Sequence, residues 1–222
     1  MNSISNPSPD PNPLEERFVS LWSRCRRLND RVIALEIYSS LVTLYTAPQR
    51  HYHSLDHLSR CLQAFDEIAA FAAAPNEVEL ALWFHDAVYT PGASDNELKS
   101  RELFMHWGKQ KLAEPQTALI GELIMCTTHT TPPRTLDESL IVDIDLSSFA
   151  AEWPIFVQDS QNVRLEQRQT SDQQYYPAHA RFLRGLLDRP RVFYSDYFNQ
   201  RLEHQARANI QRILATLPYQ NL

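Results

Sequence analysis

The sequence predicts an all-α fold in a single domain, on three observations. Glycine occurs only 4 times in 222 residues, far below the usual ~7%, so few strand turns and no phosphate-cradling loop can be built. Apolar residues recur at three and four spacing along most of the chain, which is the period of a helix face. Few stretches alternate with the period of two that a half-buried strand requires.

The elements follow in order. Residues 1–13, MNSISNPSPDPNP, lack a sustained apolar pattern and an apolar core of signal-peptide type, so they read as a flexible tail before a domain spanning 14–222. Pro13 opens a helix with Leu14, Phe18, Leu21, Trp22 and Cys25 on one stripe. Asp30 caps a second helix that ends before Pro48. A third begins near Ser54 and carries Leu55, Leu58, Leu62, Phe65 and Ile68 on one face. The stretch EVELALWFHDAVY is apolar nearly all round, which marks a central, buried helix. SDNELKSRELFMHW opens with cap residues at Ser94 and Asp95. Helices are then expected over PQTALIGELIMCTTH, ESLIVDIDLSSFA, residues 152–172, YPAHARFLRGLLDR and YFNQRLEHQARANIQRIL, for nine or ten in all.

Composition excludes several function classes. A net charge of −6 and a pI near 5.7 leave no electrostatic footprint for polymeric nucleic acid. No GxGxxG or GxxxxGK[ST] occurs, and no apolar run approaches membrane-spanning length. The cysteines Cys25, Cys61 and Cys126 are scattered and form no CxxC, so neither a disulfide framework nor a cysteine zinc site is expected. These features fit a cytoplasmic protein.

Chemistry-bearing residues gather in three places. RHYHSLDH puts His53 and His57 four apart. His85 and Asp86 stand adjacent inside ALWFHDAVY, and Asp143 and Asp145 inside LIVDIDL. The last two stretches are apolar, and an ionised carboxylate buried without a partner costs several kcal/mol or shifts its pKa until it is neutral. No Lys or Arg lies within four residues of Asp86 or of Asp145. A distant arginine would answer each carboxylate separately. One divalent metal answers both, with neutral His57 and His85 completing a shell of mixed nitrogen and oxygen donors that suits Mn, Fe, Co, Ni, Zn or Mg.

A His, then His-Asp in a buried helix, then a late Asp resembles the HD-domain superfamily of metal-dependent phosphohydrolases. RHYHSLDHL, ALWFHDAVY, SDNELKS, IVDIDLSS, VRLE and RANI are together similar to a bacterial branch described as predicted HD phosphohydrolases. The likeness covers about residues 45 to 215, with Gln167 standing where Tyr is usual and Phe149-Ala150 where Leu-Gly is usual. It implies an HD-type multi-helix fold and a divalent-metal cofactor held by His57, His85, Asp86 and Asp145, with Asp143 as the fallback for the late ligand. YHSLDH also resembles the YHNxxH of cyclic-nucleotide phosphodiesterases, which implies that His53 is the acid for the leaving oxygen. Asp86 or Asp145 would orient the attacking water. The implied substrate is a small phosphate ester, a nucleotide among the candidates. The alternatives are a two-metal nucleotide pyrophosphohydrolase of the same fold and a non-catalytic metal- or nucleotide-binding module.

Arg50, Lys99, Arg164 and Arg207 are candidates to bind phosphate, and His129 is a candidate ligand of a second metal. His51, His106, His179 and His204 are expected at the surface. Trp83, Phe84 and Tyr89 are expected in the core, Tyr89 with access to the pocket.

Overall fold

The computed structural model describes residues 12–26, 30–109 and 111–218. Among them are ten α-helices and no strand: α1 Pro13–Cys25, α2 Arg31–Tyr45, α3 Leu55–Ile68, α4 Pro75–Phe84, α5 Asn96–Gly108, α6 Glu114–Cys126, α7 Leu136–Leu146, α8 Trp153–Glu166, α9 Asp172–Asp188 and α10 Asp196–Leu214. Short 3-10 turns follow α3 and α7. The expected tail lies outside the described residues up to 11, whereas Asn12 and Pro13 already belong to α1 as its cap and first residue. No helix among the described residues is long and apolar enough to cross a membrane.

Local chemistry fixes the ends of the elements that matter most here. Asp30 caps α2 by accepting from the Ile33 N–H, and Ser54 caps α3 by accepting from Asp56. Thr135 does the same for α7, and Ser195 for α10. Several boundaries differ from the sequence reading, among them the end of α8, which stops at Glu166 rather than near residue 172. The α4 helix stops at Phe84, because the Ala87 N–H turns back to the Phe84 carbonyl and Val88 donates to Ser100 Oγ on α5. The α9 helix starts at Asp172, so Pro177 lies inside it rather than at its first turn.

The α4 helix packs against α1, α3, α5, α6 and α7, as its all-round apolar sequence requires. Phe18, Tyr38 and Trp83 form an aromatic cluster where α1, α2 and α4 meet, with ring centroids 5.1–6.2 Å apart. At the other end, α10 packs on the 3-10 turn after α7. Buried Asn209 donates to the carbonyls of Phe149 and Ala151, 2.8 Å each, and so fixes that turn. The helices α3, α4 and α7 are thereby held side by side, with the ends that carry His57, His85 and Asp145 brought together.

Candidate metal centre

Helix geometry delivers each donor. His57 sits in the first turn of α3 and is buried. His85 caps the C-terminus of α4, still in helical conformation. Its Nδ1 lies 2.8 Å from the Leu82 carbonyl, and donation there leaves the Nε2 lone pair free. Asp86 has already left the helix, so the divergence of about 100° between neighbours on a helix does not apply to it. Asp145 projects from the last turn of α7.

Four atoms converge. His57 Nε2 is 3.4 Å from His85 Nε2, 3.4 Å from Asp86 Oδ2 and 3.3 Å from Asp145 Oδ1. His85 Nε2 is 3.1 Å from Asp86 Oδ2 and 3.6 Å from Asp145 Oδ1. Ligands ~2.1 Å from one ion stand about 3.0 Å apart at right angles and about 3.4 Å apart at tetrahedral angles. The separations are those of donors around a single cation.

The electrostatics agree with the spacing. Burial disfavours the charged His57 ring, but Cys61, Tyr52, Asp145 and Asp86 outweigh it and hold the imidazole well above its ordinary value. His85 is raised in the same way, with Asp86 the chief cause. Burial also works against ionised Asp86, yet His85, His53 and His57 hold it well below the usual carboxylate range. Asp145 is held down by His129, His57 and His85 against its burial. The cluster demands positive charge, and two protons or one dication would satisfy it.

Cys61, four residues after His57, belongs to the same group, and the buried set His57, Cys61, His85 and Asp145 could hold a metal ion. The sequence reading placed no cysteine beside these residues. Geometry nevertheless favours Asp86 over Cys61 as the fourth donor. The sulfur is 3.6 Å from His57 Nε2 and 3.9 Å from Nδ1. A thiolate sharing an ion at the Nε2 lone pair would lie much farther from Nδ1 than from Nε2, whereas this sulfur is nearly equidistant, so Cys61 lies beside the ring instead.

His53 precedes the α3 cap, Ser54, and so lies off the helix that carries His57. A buried carboxylate fixes it. Glu166, the last residue of α8, accepts the backbone N–H groups of His51, Tyr52 and His53 at 2.8–2.9 Å, and His53 Nδ1 lies 2.6 Å from its other oxygen. Burial pushes the Glu166 carboxyl up, but His53 and those N–H groups leave it below its ordinary value. Tyr89 stacks on the His53 ring, centroids 4.0 Å apart.

Both assemblies open on one cavity of about 300 Å³. Its lining combines polar groups, among them His53, Asp86, Asp145, Glu97, His129 and Asp159, with an apolar patch that includes Phe149, Phe156 and Phe182. His129 Nε2 is 2.9 Å from Asp145 Oδ2, the oxygen turned away from His57, so it orients that carboxylate. His129 has left-handed backbone, φ 55°, a conformation few residues other than glycine adopt. Burial, then Asp86 and Asp145, raise the Glu97 carboxyl.

Several assigned residues lie elsewhere. Asp143 faces the other side of α7 and accepts from the Tyr194 and Ser195 N–H groups and from Ser195 Oγ at 2.6–2.7 Å, so it is neither ligand nor ligand support. Arg50 is buried, and its guanidinium donates to the carbonyls of His53, Asp86 and Ala87, tying the two site loops together instead of meeting substrate. Arg164 serves Asp172 and the carbonyls of Gln167 and Thr170. Arg207 serves Glu203 and the carbonyls of Leu187 and Arg189. Lys99 pairs with Asp95 and does not line the cavity. His179 is a further correction: it lines the cavity wall, its Nε2 is buried without a partner, and burial lowers its pKa to about 4.

Glu166, Glu97, Cys61 and His179 are the site residues that sequence reasoning missed. VRLE and DNELKS drew notice as motifs, but nothing local showed that the carboxylates mattered in them. Comparison with family models, curated proteins and solved structures finds no match for this chain.

Proposed function

We propose that this chain is a metal-dependent phosphohydrolase of HD type that cleaves a small phosphate ester. The observation that carries the reading is the convergence of His57 Nε2, His85 Nε2, Asp86 Oδ2 and Asp145 Oδ1, at separations of 3.1–3.6 Å, on a cavity that also receives His53. Two imidazoles beside two carboxylates suit manganese, iron, cobalt, nickel or zinc better than magnesium.

A divalent cation held there supplies Lewis acidity to a phosphoryl oxygen and lowers the pKa of a bound water toward neutrality. Asp86 and Asp145 border the cavity; with Asp145 Oδ2 taken by His129, the second carboxylate oxygen of Asp86 would orient the attacking water. His53 protonates the departing alkoxide from Nε2. Glu166 takes the Nδ1 hydrogen, keeps the ring oriented and balances the charge the ring carries before it gives up its proton. Tyr89 stacks on the ring and Arg50 binds the His53 carbonyl, so the acid is held on both sides of its Cα.

The test is metal analysis of protein purified without chelator, followed by a screen of phosphate monoesters with each metal in turn. About one transition metal per chain and hydrolysis of at least one ester are expected. Metal without hydrolysis would favour a binding module, and absence of metal in every preparation would sink the reading.

A further inference from the structure

The cavity lining bears on what kind of phosphate compound fits. Its charged side chains are carboxylates, Asp86, Glu97, Asp145 and Asp159, and no lysine or arginine lines it among the described residues. The nearby guanidiniums are engaged. Arg50 holds three backbone carbonyls, Arg60 pairs with Asp159 at 2.7 Å, and Arg189 donates through Nη2 to the carbonyl of His129, its Nη1 being buried without a partner and outside the lining. Each phosphate beyond the first would bring negative charge toward carboxylates with no cation to meet it, and sites for polyphosphates answer that charge with Arg, Lys or added metal.

Part of the same lining is an aromatic patch, with Phe182 also 6.5 Å from the His129 ring. Phe149 and Phe156 lie 5.8 Å apart, and Phe149 and Phe182 6.3 Å apart, at tilted angles. Phe182 is 42% exposed although it is a large aromatic facing this space. A volume of about 300 Å³ is at the small end of the ~300–1,000 Å³ range for ligand pockets.

Resting on the phosphohydrolase reading, we infer that the substrate carries a single phosphoryl group on an uncharged body with one apolar, ring-sized part, seated against Phe149, Phe156 and Phe182, and that nucleoside di- and triphosphates are poor substrates. The metal ligands take the one phosphoryl group, and the aromatic patch selects the body. His179, kept neutral on that wall, adds no charge to attract a second phosphate.

The metal-loaded full chain is assayed for kcat/KM on benzyl phosphate, ethyl phosphate and glycerol phosphate, and on a nucleoside 5′-monophosphate against its di- and triphosphate. Benzyl phosphate is expected to exceed glycerol phosphate at least tenfold, and the monophosphate to exceed the diphosphate by a similar factor. Phe182→Ala, at an exposed position that does not open the core, should cut the benzyl-to-ethyl preference at least fivefold. Phe182→Lys should narrow the gap between mono- and diphosphate. Calorimetric binding of benzylphosphonate, ethylphosphonate and methylenediphosphonate separates this inference from the catalytic one. If nothing is hydrolysed but benzylphosphonate binds best and depends on Phe182, the ligand class stands and catalysis falls. Preference for the diphosphate or diphosphonate, or for glycerol phosphate, overturns the inference, as does a preference for benzyl that Phe182→Ala leaves unchanged or a failure of all three phosphonates to bind.

Discussion

The two faces of α7 solve one problem in different ways. Asp143 and Asp145 are two residues apart, and both carry carboxylates into the interior. Asp143 is met by N–H and O–H donors of its own chain, from the loop that starts α10. Burial pushes it up to about 6 even so. Asp145 is met by imidazoles, and two of them turn the same nitrogens toward each other and toward Asp86. A buried carboxylate alone therefore says little about metal. What distinguishes the faces is that Asp143 is met by hydrogen-bond donors that cannot bind a cation with it, whereas two partners of Asp145, His57 and His85, are groups able to ligate a metal themselves.

The largest effect should come from exchanging the amide for the acid on each face. Asp145→Asn is expected to lose the metal and all hydrolysis, and Asp143→Asn to keep nearly full metal, both read by metal analysis and initial rates. The opposite pattern would reverse the assignment of the two faces. Cys61→Ala belongs with Asp143→Asn and should keep its metal, since the sulfur lies beside the His57 ring.

Next in size is the acid. His53→Ala should retain metal and slow hydrolysis of an alkyl phosphate by about 10²–10⁴. The loss should shrink for a nitrophenyl phosphate, whose leaving group departs without a proton. Equal losses on both substrates would make His53 a positioning residue. Glu166→Gln should move rates in the same direction by less.

Stability separates the faces in the other sense. Asp143→Ala strands the Tyr194 and Ser195 N–H groups in the interior, which costs roughly 2–4 kcal/mol in a denaturant melt while metal content is kept. A loss below ~0.5 kcal/mol would mean that those donors find other partners.

The smallest effect concerns a buried polar atom with neither kind of answer, His179 Nε2. Burial lowers this imidazole to about 4, so the native chain keeps it neutral while the unfolded chain protonates it near ~6.5. Its contribution to stability is present above that value and is lost as pH falls from there toward 4. Between pH 8 and pH 5, His179→Gln should therefore gain roughly 1–2 kcal/mol relative to the native chain. Parallel pH–stability curves for the two proteins would show that His179 stays solvated.

The sequence made local features visible and long-range ones invisible. Asp30, Ser54 and the three-four spacing of α3 announce their helices because a cap and its target lie within three residues. The opposed directions of Asp143 and Asp145 follow from helical geometry alone. The early end of α4 was hidden because Ser100, on another helix, takes the Val88 N–H. Arg50, Arg164 and Arg207 looked like phosphate binders because backbone carbonyls, their real partners, have no signature in sequence. Glu166 was hidden for the plainest reason: the carboxylate that fixes His53 lies 113 residues away from it.

That separation sets an order of assembly on the ribosome. His57, His85, Asp86 and Asp145 are all made before Glu166, the last of them 21 positions earlier. At ~5–20 residues per second, synthesis reaches Glu166 about 1–4 seconds after Asp145. A nascent chain thus holds every group that can capture a cation before it can fix its acid. The groups able to bind an ion are complete before the carboxylate that fixes His53.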